Sequence, residues 1–191
     1  MAKLKAVAEI IPAGDFPVVN AENVQYGEKR LSEYLIGSII TPESYGAVGD
    51  GTTDCTVAIN KCLRENPNST IRFGSGIYLI SDTLHAYGNI GGQTIIVGGA
   101  TIKWKSSASR IKPMIDCNLS AGQEGRCTIV NGTFDGNNTC AYGVVLDSFH
   151  ARITGSKIID FTKAQLVVGD LNEDGTAVKS LQAFVENLYK K

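Results

Sequence analysis

Residues 45–63 read YGAVGDGTTDCTVAINKCL. Glycines 46, 49 and 51 and aspartates 50 and 54 crowd its first half, and a helical pattern fills the second. Cys55, Ala58, Ile59 and Cys62 fall at i, i+3, i+4 and i+7, a single apolar stripe. Asp54 stands just before it, where a carboxylate can accept from free backbone N–H groups, so it is the expected N-cap. Asn66-Pro67 ends the pattern, because proline cannot continue a helix and biases the residue before it toward extended backbone. The stretch predicts a glycine turn and then a short amphipathic helix over 54–65.

Downstream, residues 71–170 form short apolar bursts (IRF, IYLI, TIIV, TIKW, CTIV, QLVV) split by Gly, Asn, Asp and Ser. An offset of 24 recurs. Ile71 and Phe73 map onto Ile95 and Val97, and Tyr78 and Ile80 onto Ile102 and Trp104. Ile129 maps onto Ile153, Phe134 onto Ile158 and Val144 onto Val168, while the phase slips at NLSAGQEGR (118–126), read as an inserted loop. A repeat of this length with two or three strands per period predicts a solenoid of parallel coils around an apolar stripe. The span holds roughly four coils, just above the minimum of three for a stable stack. Open solenoid ends need caps, and the helix at 54–65 is placed to cover the first coil.

Residues 1–40 are too few to enclose a core. They read as a strand (LKAVAEII), an extended piece (FPVVNAENVQYGE) and a helix (KRLSEYLIG) that must dock elsewhere. In residues 171–191, Thr176 is a plausible N-cap, and Val178, Leu181, Val185 and Leu188 follow at helical spacing with Phe184 beside them. That amphipathic helix has two readings, a cap on the last coil or a subunit contact.

The net charge of -1 argues against nucleic acid and against an anionic membrane surface as partners. No segment approaches the roughly 18 apolar residues needed to span a bilayer. Lys5 and Glu9 break the first apolar run, so no signal peptide is read, and synthesis in a bacterial cytoplasm is expected. The five cysteines, at 55, 62, 117, 127 and 140, are odd in number and irregularly spaced, which reads as small buried hydrophobes rather than a disulfide framework or zinc site. Without secretory context, the sequons at Asn68, Asn118, Asn131 and Asn137 carry no weight.

Taken with the ITPES that precedes it, the opening stretch resembles the leading segment of the pectate-lyase-like, right-handed parallel β-helix superfamily, an F/Y-G-A-x-G-D-G-x-T-D-D-T-x-A-I run. Tyr45, Gly46, Ala47, Gly49, Asp50, Gly51, Thr53, Asp54, Thr56, Ala58 and Ile59 match, and Cys55 departs where the family often has a second Asp. IVNGTFDGNN (129–138) is similar to the family's G-T-[FI]-D-G-N coil. The resemblance covers about 41–170, marks the fold and leaves the reaction open. The superfamily includes pectin-degrading enzymes and bacteriophage tail spikes. FPVVNAENVQYGEKRLSEYL looks like the N-terminal segments of phage tail proteins, which sit near attachment or trimerisation regions.

Polysaccharide cleavage needs two carboxylates across the sugar bond, or a base with calcium. The acids within the coils are Asp82, Asp116, Glu124, Asp135, Asp147, Asp160 and Asp170. Asp116 and Asp135 are the pair that adjacent coils could bring together. Each also reads as ordinary turn chemistry. Trp104, Tyr142 and Tyr78 are the aromatic candidates for stacking on sugar, with Trp104, which maps onto Ile80 at the offset of 24, reading rather as core or interface. His85 and His150 lack G-H-G context, and Arg110 and Lys112 of an R-I-K run read as surface charges. GDGTTD lacks the acid ladder of an EF-hand, so no metal and no cofactor is expected, calcium being the one ion left open.

The resulting expectation is a mainly-β chain. It comprises an N-terminal attachment or trimerisation arm (1–40), a short right-handed parallel β-helix (41–170) with a capping helix near 54–65, and a C-terminal helix (171–191). Resemblance to tail spikes implies a homotrimer in a virion tail or related extracellular particle. It would attach to a baseplate or other tail proteins and contact bacterial surface glycan. The alternatives are a polysaccharide lyase or glycoside hydrolase, or the N-terminal part of a longer depolymerase.

Overall fold

The computed structural model describes residues 40–87, 92–105, 110–117, 126–146 and 151–169, with short strands at Gln25–Tyr26, Lys29–Arg30, Ala183–Glu186 and Tyr189–Lys190. In the unit 1–39, β1 (Gln25–Tyr26) pairs antiparallel with β2 (Lys29–Arg30). Lys29 and Arg30 are therefore strand where a helix was expected, because their backbone pairs with Tyr26 and Gln25. The remaining arm expectations, LKAVAEII and residues 31–39, lie outside the described residues.

From residue 40 on, every strand pairing among the described residues is parallel. β3 (Asp50–Asp54) is followed by α1 (Thr56–Glu65). The first coil is β4 (Thr70–Arg72), β5 (Ile77–Ile80) and β6 (Leu84–His85). The second is β7 (Gln93–Trp104) and β8 (Arg110–Asp116), and the third β9 (Cys127–Asp135) and β10 (Cys140–Leu146). The fourth is β11 (Ala151–Thr154), β12 (Lys157–Ile159) and β13 (Ala164–Val168). β7 and β9 each run across two faces of one large sheet, and β6, β8, β10 and β13 stack as a small sheet. The chain is a short right-handed parallel β-helix, and at about 4.8 Å per coil its four coils rise roughly 20 Å.

The core is built from rows of like side chains, one per coil. Ile71, Ile95, Ile129 and Ile153 stack in register, all buried. Tyr78, Ile102, Phe134 and Ile158 form a second row, and Ile80 lies on Trp104. Strand alternation turns these residues inward and their neighbours outward. The offset of 24 holds at all these positions except across the join of the second and third coils. On the small sheet, Val144 pairs with Leu166 rather than Val168. The third coil turns through Asn137 and Asn138, both left-handed (φ 52° and 55°), whereas the fourth turns on Asp160 alone (φ 59°). The wider turn accounts for the two residues lost from the period.

The quoted stretch closes the open end of this stack. β3 lies on β5, and Ile40 bridges to Ile71, so the large sheet's first edge is covered. Gly76 packs directly on Gly49, with Ile77 N–H donating to Gly49 O at 3.1 Å. A Cβ on Gly76 would stand 2.3 Å from that oxygen, and its φ is 124°, so glycine is required there. α1 buries Ile59, Cys62 and Leu63 against the first coil. Its Asn60 side chain donates to Thr83 O (2.8 Å) and accepts from His85 N–H (2.9 Å). One amide thus acts as a strand partner for β6 and closes the edge of the small sheet.

Two expected details change. The helix starts at Thr56 with Cys55 at the N-cap, because Asp54 is held in β3 by pairing with Leu79. Asp54 still serves the helix start, its Oδ1 accepting from Thr56 N–H (3.1 Å) and Thr56 Oγ1 (2.6 Å). At the other end, β14 (Ala183–Glu186) and β15 (Tyr189–Lys190) replace the expected helix at those residues. They pair with β11 and β12, aligning Val185 with Ile153. An open parallel edge offers a row of unpaired N–H and C=O groups, and satisfying it outweighs a marginal helix of less than two heptads. Thr176, Val178, Leu181 and Leu188 lie outside the described residues, as does 118–125 of the inserted loop.

Candidate functional site

The outward side of the large sheet is the broadest regular surface. By register its rows are Thr70–Thr94–Thr128–Arg152, Arg72–Ile96–Val130–Thr154, Ile77–Thr101–Thr133–Lys157 and Leu79–Lys103–Asp135–Ile159. Threonine is β-branched and suits a strand, and it leaves a hydroxyl on the surface at each coil step. Lys103 Nζ meets Asp135 Oδ2 at 3.0 Å within the last row, and Lys105 Nζ lies 3.8 Å from Asp54 Oδ2 at the edge of the sheet. The surface is hydroxyl-rich, of mixed sign, and repeats along the stack.

The two acid candidates part company here. Asp135 ends β9 on the large sheet, partnered by Lys103 and accepting from Asn137 N–H at 2.8 Å. Asp116 ends β8 on the small sheet, in register with His85 and Val145. Its carboxylate lies 3.9 Å from His85 Nδ1, and the His85 ring stands 6.4 Å from that of Tyr87. Sequence reasoning missed His85, whose signal was its distance of one coil from Asp116, 31 residues rather than 24.

The aromatic candidates Trp104, Tyr142 and Tyr78 are all buried. Trp104 is 0% exposed, sealed beneath the coils on Ile80, so its indole cannot reach a glycan. Tyr142 is 6% exposed, packed with Ala141, Val145 and Val167, with Lys163 Nζ 5.4 Å from its ring centre.

The acid-glycine run is occupied with its own backbone. Asp50 Oδ1 accepts from Thr52 and Thr53 N–H, each at 2.8 Å, and Oδ2 from Thr53 Oγ1 at 2.7 Å. Those backbone donors, Thr53 first, hold its carboxyl well below the usual carboxylate range. For Asp54, burial pushes upward, but hydrogen bonds from Ser81 and Thr56 and the Lys105 charge outweigh it and hold the carboxyl down. Beside the run, a cleft of about 450 Å³ is lined by Glu43, Arg72, Gly74, Ser75 and Tyr78 among others. Glu43 Oε1 accepts from Tyr78 Oη and from Gly74 N–H. Burial, then the Glu43 hydrogen bond, pushes the Tyr78 hydroxyl well above its ordinary range and keeps it protonated. Among the described residues, no group of three or more His, Cys, Asp or Glu is placed to hold a metal ion.

Residues 40–124 match the family model described as rhamnogalacturonase A/epimerase, pectate lyase-like. That segment is similar to a pectate-lyase-like domain. The same architecture appears in solved structures. The ORF18 protein of Geobacillus virus E2 superposes with a TM-score of 0.63 at 21% identity, over 72% of this chain and 29% of that one. The Dettilon tailspike protein gives 0.60 at 20% identity, over 90% of this chain and 32% of that one. The A-module of the Azotobacter vinelandii mannuronan C-5 epimerase AlgE4 gives 0.57 at 18% identity, over 78% and 50%. The chain thus spans about a third of the length of these first two proteins it matches. At these identities the likeness is one of fold.

Proposed function

We propose that this chain is a tailspike-like, glycan-contacting module that binds bacterial surface polysaccharide along the outward rows of its large sheet and does not cleave it. The observation that carries the reading is the division of the acids. Asp135 lies on one sheet bridged to Lys103, and Asp116 lies on another beside His85. A glycosidase needs two carboxyl groups facing one bond, and the described coils bring together an ion pair instead. The threonine-bearing rows supply hydroxyls at a regular step, which suits a polymer that is itself hydroxyl-rich and periodic. The fold neighbours, one from a virus and one a tailspike, support a place in a virion tail, and the reading adds to it a homotrimer attached to other tail proteins.

The test is retention of the full chain on immobilised capsular polysaccharides and O-antigens. Thr101→Glu with Thr133→Glu places acids in one outward row and abolishes retention with the melting temperature held. Unchanged retention moves the contact off this face. Light scattering at three times the 20.3 kDa chain mass supports the trimer, and a clean monomer removes it.

A second reading has one observation in its favour. His85 stands 3.9 Å from Asp116 with Tyr87 close by, a set of the residue types that move protons once a substrate or a bridging water joins them. If the chain is an enzyme, His85→Gln removes the activity and Asp135→Asn does not.

A further inference from the structure

All five cysteines are free and buried. Three of them have roles in packing and backbone hydrogen bonding. Cys55 Sγ bonds the Val48 backbone, Cys140 Sγ reaches Tyr142 O at 3.3 Å, and Cys62 packs α1 on the core. Cys117 and Cys127 differ, because their sulfurs touch each other at 3.2 Å. Cys117 follows β8, its N–H held by Val145 O at 2.9 Å. Cys127 opens β9 in register with Gln93. Each backbone is thus fixed by a strand ladder of its own, and the two sulfurs are held together from opposite sides of the join between the second and third coils. A disulfide needs a separation of about 2.05 Å, so closing this contact takes roughly 1 Å of side-chain movement.

We infer that Cys117 and Cys127 are a redox site that forms a disulfide, stapling the second coil to the third around residues 118–126. The chemistry with a small-molecule disulfide such as oxidised glutathione balances as follows. One cysteine loses its proton, and its thiolate attacks a glutathione sulfur. The glutathione S–S bond breaks, releasing one glutathione thiolate and leaving a protein–glutathione mixed disulfide. The second cysteine, deprotonated in turn, attacks the protein sulfur of that mixed disulfide and expels the second glutathione. Two protein thiols are oxidised, one glutathione disulfide is reduced to two thiols, and the two protons end on the released glutathiones. The Cys127 contact, together with burial, pushes the Cys117 thiol well above its ordinary range. Little thiolate forms in the closed fold, so the pair stays reduced in a reducing compartment and closes slowly in an oxidising one. The inference rests on the sulfur geometry alone and is independent of the glycan reading.

The sequence suits a direct test. Trypsin cuts after Arg110, Arg126 and Arg152 and passes Lys112 because Pro113 follows, so Cys117 and Cys127 fall in different peptides, 111–126 and 127–152. The full chain is held with oxidised glutathione at mildly alkaline pH, alkylated, digested and analysed by mass spectrometry without reductant. The expected result is peptide 111–126 joined to 127–152 at two hydrogens below the sum of their masses. Fragmentation then places the link at Cys127 and leaves Cys140 alkylated. The oxidised chain also melts several degrees higher than the reduced chain, a gain absent from Cys127→Ala. Recovery of Cys117 and Cys127 as alkylated thiols, links scattered among all five cysteines, or equal melting of the linked and reduced chains would each overturn the inference.

Discussion

Lys103 Nζ lies 3.0 Å from Asp135 Oδ2, joining the second coil to the third on the outward side of the large sheet. The pair is directly opposed in a parallel ladder, and the Asp135 side chain is only 15% exposed. A double-mutant cycle of Lys103→Met and Asp135→Asn, read by urea unfolding, should give a coupling of about 1 kcal/mol that shrinks with added salt. A coupling of zero at low salt would remove the bridge from the account of the fold.

Gln93 is 1% exposed and makes three hydrogen bonds at the far end of the capping helix. Its Nε2 donates to Leu63 O and Asn66 O, each at 2.8 Å, and its Oε1 accepts from Tyr87 N–H at 2.9 Å. The helix end has no other side-chain partner for Leu63 O among those described. Gln93→Ala should therefore cost about 2 kcal/mol, since it removes three hydrogen bonds and leaves the partly buried Asn66 O and Tyr87 N–H without this partner, while Leu63 O keeps its bond from Asn66 N–H. A loss under about 0.5 kcal/mol would mean water satisfies them equally well.

Gly76→Ala tests the fit of the leading segment on the first coil. Its new Cβ meets Gly49 O at 2.3 Å with φ at 124°, and both offenders are backbone, which no side-chain rearrangement relieves. A loss on the order of 3 kcal/mol is expected in urea unfolding, with native-state hydrogen exchange rising first at Gly49 and Ile77.

Acid sensitivity should centre on the same stretch. Asp50 and Asp54 both have folded carboxyls held below their ordinary values. Groups of that kind add stability that is complete above the unfolded value of about 3.9 and is lost as pH falls through the folded value. The melting temperature should thus fall as pH drops below about 4, and Asp50→Asn with Asp54→Asn should flatten that fall. An unchanged slope would assign acid sensitivity to other carboxylates.

Trp104 is the single tryptophan, so the chain's tryptophan emission reports one site. Being fully buried, it should emit at short wavelength, resist acrylamide, and keep its spectrum when polysaccharide binds. A glycan-dependent shift would contradict the placement of the contact on the outward rows.

The inward rows were legible because a parallel coil repeats its side chains at a fixed offset, so Ile71 and Ile95, or Phe134 and Ile158, announce each other without any knowledge of the turns. The capping helix was legible from its apolar stripe and the proline that follows it. Asn60 and Gln93 were not, since they act on backbone groups of other elements, and side-chain identity alone does not reveal such a partner. Val185 and Phe184 satisfy a helical spacing and a strand equally well over so few residues, and only the waiting edges of β11 and β12 decide between them. Asp116 was found but mispaired. The period of 24 does not hold on the small sheet, so its true neighbour, His85, stood 31 residues away and out of phase.

The central claim is that the outward face binds bacterial surface glycan without cutting it. The most direct measurement is to incubate the full chain with those polysaccharides that retain it, then assay reducing ends and ultraviolet-absorbing unsaturated uronates. The account predicts retention with neither product rising above the protein-free control. New reducing ends or unsaturated uronates, lost in His85→Gln, would contradict it and make the chain an enzyme.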